Sequence, residues 1–177
     1  MHKIPDFPHT ETQKGGAITV RVGIWERDEG IFSAVAVGAG PLGAELCRGT
    51  HPADLAGEPL DLLTVSPGSS GWAGAGAVHC RSVLLPGTAG PLARALRSTQ
   101  TISYGTSPRD TLTFSSLEGD RISLALQREL VTLDGIVLEQ QELVLPFPTG
   151  APPLPFLAAV GTLLVMGIPP EELAGYV

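Results

Sequence analysis

The residues best suited to chemistry lie in a glycine-rich stretch, Ser66-Pro67-Gly68-Ser69-Ser70-Gly71, which runs on through Trp72 and Gly74 to Gly76. Closely spaced hydroxyls and unobstructed backbone N–H groups can form a concave nest for a small anion. A phosphate loop would add a lysine, but Gly-x-x-x-x-Gly-Lys-Ser/Thr does not occur and the only lysines are Lys3 and Lys14. The stretch also reads as a plain connection between two strands. A second pattern, Gly38-x-Gly40-x-x-Gly43, has the spacing of a dinucleotide fingerprint, and Glu58 and Asp61 follow about twenty residues on as possible ribose ligands. Ser69 or Ser70 with His79 is a conceivable nucleophile and base, although Gly-x-Ser-x-Gly is absent. Cys47 and Cys80 belong to no Cys-x-x-Cys pair, and the four histidines show no metal-ligand spacing, so no metal or other cofactor is expected.

The elements that must carry these residues are those of an α/β fold. Residues 1–16 hold prolines, histidines and Gly15-Gly16 without periodicity, and read as a flexible arm before a single domain over 17–177. Alternating β-branched residues predict strands over Ile18–Trp25 and Ile31–Ala39, joined as a hairpin through Glu26–Gly30. The next expectation is a short helix over Pro41–Arg48, opened by its proline and closed by Gly49. Leu60–Val65 is an unbroken apolar run, as in a buried parallel strand, and delivers its carboxyl end into the Ser66 loop. Ala77–Leu85, Pro91–Arg97 and Thr101–Tyr104 follow as strand, helix and strand. Thr111–Leu117, Arg121–Arg128 and Val131–Leu145 form a β-meander punctuated by Glu118-Gly119-Asp120 and Asp134-Gly135. Leu154–Ile168 is free of charge but shorter than the roughly twenty residues of a membrane span, which predicts a buried core helix. Together these predict a mainly parallel central sheet with flanking helices, an N-terminal hairpin and the meander.

Composition narrows the partners. The 177 residues suit one domain, and 43% hydrophobic residues suit a packed core. Eleven basic residues stand singly against eighteen acidic ones, for a net charge of -7, which argues against nucleic acid. The polar, proline-broken start and the scattered cysteines suggest a reducing, cytoplasmic location without membrane contact.

A family resemblance rests on the C-terminal half. Val83-Leu84-Leu85, the Pro91–Arg97 helix, Ile102-Ser103-Tyr104-Gly105 with Asp110 shortly after, and the closing Leu157-Ala158-Ala159 through Gly167-Ile168-Pro169-Pro170-Glu171 all carry it. Over roughly residues 80–174 this resembles the later part of the middle domain of Mur ligases, ATP-dependent amide-forming enzymes of cell-wall synthesis. It departs from them in having no phosphate loop and in placing Pro155 where an asparagine usually opens the last helix. The chain as a whole is also similar to uncharacterised proteins of spore-forming Firmicutes, which implies no activity.

The resemblance implies a nucleotide-binding domain that has lost its phosphate loop, and hence a binding or assembly module without catalysis. Its ligand, a small anion or nucleotide, would meet Ser66, Gly68, Ser69, Ser70 and Gly71 together with Gly87, Tyr104 and Gly105, where strand ends converge. The alternative is a nucleotide-binding protein or small-molecule enzyme using Gly38, Gly40 and Gly43 or the Ser66 loop. A protein partner or a second copy would meet the apolar run Leu133-Asp134-Gly135-Ile136-Val137-Leu138, taken as a sheet edge.

Overall fold

A computed structural model describes residues 19–177, so the expected arm at 1–16 lies outside the described residues. Eight strands form one mixed sheet: β1 (Arg21–Trp25), β2 (Glu45–Gly49), β3 (Leu60–Val65), β4 (Cys80–Pro86), β5 (Gln100–Gly105), β6 (Leu112–Glu118), β7 (Arg121–Leu126) and β10 (Gln141–Pro146). Their order is β10-β7-β6-β5-β4-β3-β1-β2. From β2 to β6 every pairing is parallel, and only β7 and β10 alternate. The parallel part has the doubly wound order in which the chain reverses direction between β1 and β3.

The chain does not form the expected N-terminal hairpin. After β1 it enters helix α1 (Ile31–Leu42), which buries Ile31, Val35, Gly38 and Ala39. That spacing of four, three and one is helical, and the β-branched alternation of the same segment misled the sequence reading. The helix stops at Gly43, whose φ of 63° is left-handed and costs glycine little. The helix expected over Pro41–Arg48 is therefore the last turn of α1 followed by edge strand β2.

The remaining expectations fare better. Helix α2 (Gly90–Ala95) links β4 to β5, and α3 (Pro153–Met166) buries every residue from Leu157 to Met166. No helix among the described residues is long and apolar enough to cross a membrane. The meander forms from β6, β7 and β10, but the run expected over Val131–Leu145 is interrupted. A small hairpin, β8 (Leu130–Val131) with β9 (Val137–Leu138), branches off around Gly135, so the Leu133–Leu138 segment is no edge of the main sheet.

Helices α1 and α3 cover one face of the sheet, against Val22, Ile24, Leu62, Leu84 and Ile102. Short 3-10 turns at Pro52–Leu55 and Ala75–Ala77, with α2, cover Trp25, Leu63, Val65, Val83 and Leu85 on the other. Two glycines allow the first layer to close. A Cβ on Gly38 would stand 2.5 Å from Leu163 Cδ2 of α3, and one on Gly161 would stand 2.8 Å from Leu84 Cδ2 of β4. Beneath α3, Thr162 Oγ1 donates to Ala158 O (2.7 Å) and lies 2.7 Å from Thr64 Oγ1 on β3, which satisfies two hydroxyls inside an otherwise apolar layer.

The two α1 glycines should therefore respond oppositely to alanine in urea unfolding. Gly38→Ala overpacks the α1–α3 contact and should cost about 1–3 kcal/mol. Among the described residues nothing beyond its chain neighbours and its own helix backbone lies within 4 Å of a Cβ on Gly40, so Gly40→Ala should gain up to about 0.5 kcal/mol, helix propensity being partly offset by the clash of a Cβ with the Pro41 ring.

Candidate functional site

In a doubly wound sheet the crevice for a ligand opens beyond the carboxyl ends of the strands where the order reverses. Here that point lies between β1 and β3, and three carboxylates mark the edge on which it sits: Glu26 and Glu29 from the β1–α1 turn, and Asp110 before β6.

Glu26 follows directly on β1 and is 1% exposed. The N–H groups of Ile31 and Phe32 donate to its Oε2 (2.8 Å) and Oε1 (3.1 Å), and Arg48 Nε of β2 lies 3.3 Å from Oε1. The carboxylate thus takes the position at the N-terminus of α1 where a bound phosphate would sit.

Glu29 does the same for the loop after β3. Ser66 Oγ (2.8 Å) and Gly68 N–H (3.0 Å) donate to its Oε1, and Arg27 N–H donates to Oε2 (2.9 Å). A side chain on Gly68 would collide with this carboxylate. Ser69 Oγ donates to Trp25 O (2.9 Å) and holds the loop against the end of β1. Partial burial opposes the charge on Glu29, but the donors from Ser66, Arg27 and Gly68 outweigh it and hold the carboxyl below its usual range. Ser70 receives Arg27 Nη2 at 3.4 Å, and Gly71 turns the chain away at φ 79°.

Gly87, Tyr104 and Gly105 gather at the neighbouring ends of β4 and β5, around a cavity of about 290 Å³. Gly87 N–H donates to Tyr104 O (2.9 Å), and a Cβ on Gly87 or Gly105 would overlap the carboxylate of Asp110, which packs over both. Tyr104 links the two halves of the edge, since its buried hydroxyl donates to Val65 O (2.6 Å) at the end of β3. Burial, with the charge of Glu29 adding to it, raises the Tyr104 hydroxyl far above its usual value, so it remains a donor.

The structure thus brings Ser66, Gly68 and Ser69 together around Glu29, and Gly87, Tyr104 and Gly105 together around Asp110. It does not bring Gly38, Gly40 and Gly43 to this edge. Gly38 and Gly40 lie inside α1 and Gly43 caps its far end, whereas a dinucleotide fingerprint places its glycines ahead of the helix. The pairing of Ser69 or Ser70 with His79 also fails. His79 bridges to Arg97 beside the start of β3, roughly 20 Å from the Ser66 end of that six-residue strand. His51 serves as a cap, accepting Ala53 N–H at Nδ1 (3.2 Å). Burial pushes the Cys80 thiol up to about 11, too high for a thiolate nucleophile. Sequence reasoning missed Glu26 and Glu29 altogether. An acidic residue directly between a strand and an uncharged helix is the one local hint of the first, and nothing local marks the second. No family model matches the chain, and a search of curated proteins finds no match.

Glu29 should be visible in acid. Its depressed value in the fold makes a contribution to stability that is complete above the ordinary glutamate value and is lost as pH falls below about 4. Glu29→Gln lacks this contribution, so its urea midpoint should fall less steeply than the parent's between about pH 5 and pH 3. An equal slope in both proteins would show that Glu29 is not held by these donors.

Proposed function

We propose that the chain is a non-catalytic binding or assembly module, related in plan to a Mur ligase middle domain without its phosphate loop. The observation that carries this reading is the occupancy of both anion cradles at the β1/β3 switch by the chain's own carboxylates. Glu26 takes the N-terminal N–H groups of α1, and Glu29 takes the Ser66 hydroxyl and the Gly68 N–H. A nucleotide phosphate would have to displace a charge already satisfied there and would be repelled while doing so. The order of strand β4, helix α2, strand β5, meander and α3 over residues 80–174 is the order that the resemblance implies, which supports the relation.

Binding then falls to the rest of the carboxyl edge, at Gly87, Tyr104 and Gly105, and assembly to exposed apolar surface. The β8–β9 hairpin offers such surface in Val131, Ile136 and Val137, the last two more than half exposed. A protein partner or a second copy would bury them.

The experiment is thermal unfolding against nucleotides, nucleotide sugars and inorganic phosphate, because a ligand that prefers the folded state stabilises it by mass action. The native chain should show no dose-dependent rise with any of them. In Glu29→Ala the freed Ser66 hydroxyl and Gly68 N–H should donate to phosphate and the midpoint should rise with its concentration. A rise in the native chain with one nucleotide, removed by Gly68→Ala, would replace this reading with a nucleotide-binding one.

A further inference from the structure

The cavity at the ends of β4 and β5 has a chemistry of its own. Gly87 and Gly105 line it, and the Asp110 carboxylate rests against both. Asp110 is 6% exposed. Its Oδ2 accepts Ser107 N–H at 3.1 Å and its own N–H donates to Ser107 O at 3.0 Å, which closes the turn before β6. Among the described residues no N–H or O–H donates to Oδ1. Closing the turn needs one carboxylate oxygen, and the second is left as a strong acceptor in the lining of the cavity.

We propose that this cavity binds a small neutral polyol, a sugar ring, with Asp110 accepting its hydroxyls. The proposal rests on the reading above in taking the carboxyl edge as a binding surface, and it names the ligand class. An ionised carboxylate only accepts, and hydroxyl-to-carboxylate bonds are short and strong. The same charge repels phosphates and carboxylates. Arg109 also lines the cavity, so charges of both signs meet there and neither an anion nor a cation is favoured by both, which leaves a neutral donor. Thr88 and Thr106 add exposed hydroxyls that both donate and accept, and Leu154 from the first turn of α3 adds an apolar wall for the C–H face of a ring. A volume of about 290 Å³ holds roughly ten waters at ~30 Å³ each and stands at the small end of ligand pockets, as a monosaccharide requires.

The test is a titration of the isotope-labelled full chain with D-ribose, D-glucose and N-acetyl-D-glucosamine, followed by amide NMR, with inorganic phosphate and ammonium as charged controls. The expected result is a saturable shift of the Gly87, Thr88, Gly105 and Thr106 amides with at least one sugar, at a dissociation constant of about 1–10 mM. Asp110→Asn should weaken it at least tenfold. Should that variant fail to fold, Thr106→Trp decides, because Thr106 is exposed and lines the cavity, so an indole there should obstruct it. Saturation by no sugar, saturation that survives in Thr106→Trp, or tighter saturation by either charged control would overturn the proposal. Failure with the sugars leaves the non-catalytic reading standing, whereas nucleotide-induced shifts at Ser66–Gly71 would remove that reading and leave this cavity to be judged by the sugars alone.

Discussion

The buried carboxylate of Glu26 is the interaction on which the front of the molecule depends. Burying a carboxylate is costly unless it is paired and hydrogen-bonded. Glu26 meets both conditions with groups from two elements: its oxygens receive the first free N–H groups of α1, and Arg48 of β2 supplies the opposing charge, while its backbone N–H closes onto Gly49 O at the end of the same strand. The turn from β1 into α1 and the docking of edge strand β2 are thereby fixed together. Helix α1 has no charged residue and no side-chain cap at Gly30, so this remote carboxylate is what starts it.

With α1 started there, the crossing with α3 follows. Gly38 brings the two helices close, Gly161 brings α3 down onto Leu84, and the Thr64–Thr162 contact sets α3 in register with β3. Both long helices then run away from the carboxyl edge with their N-termini facing it, as a doubly wound fold demands. The five-residue Glu26–Gly30 turn, the Ser66–Ser69 turn and the Ser107–Asp110 turn share that edge as a consequence of the strand order.

Legibility in the sequence followed how local the cause was. Strands β3 and β4 were readable because buried parallel strands leave apolar runs, Leu60–Val65 and Val83–Leu85, bounded by prolines and glycines, and β5 because Ile102 and Tyr104 alternate with polar residues. Helix α3 was readable because its apolar run is too long for a strand and ends at Gly167. The start of α1 was not, since β-branched Ile31, Val35 and Val37 mimic alternation and the deciding partner, Arg48, lies on another strand. Gly38 matched a nucleotide fingerprint by spacing, yet its reason is Leu163, distant in sequence. The Ser66 loop was recognisable as a nest of donors. That Glu29 fills it is a contact between residues 37 apart, which no local pattern encodes.

The three carboxylates also explain how an edge built to attract anions changes its preference. Helix N-termini and glycine-rich turns at the ends of parallel strands normally leave partial positive charge for a phosphate. Here Glu26 and Glu29 cancel it from within, each at the cost of a site, and Asp110 adds negative charge where β4 and β5 end. A net charge of -7 over the chain reinforces the local sign. Because Tyr104 ties the end of β5 to the end of β3 through Val65, the filled half and the open half of the edge are held at one fixed spacing. On the proposed reading, a ligand in the open half would meet the Asp110 carboxylate already fixed in its turn, which would favour hydrogen-bond donors over the anions that the fold's geometry would otherwise suit.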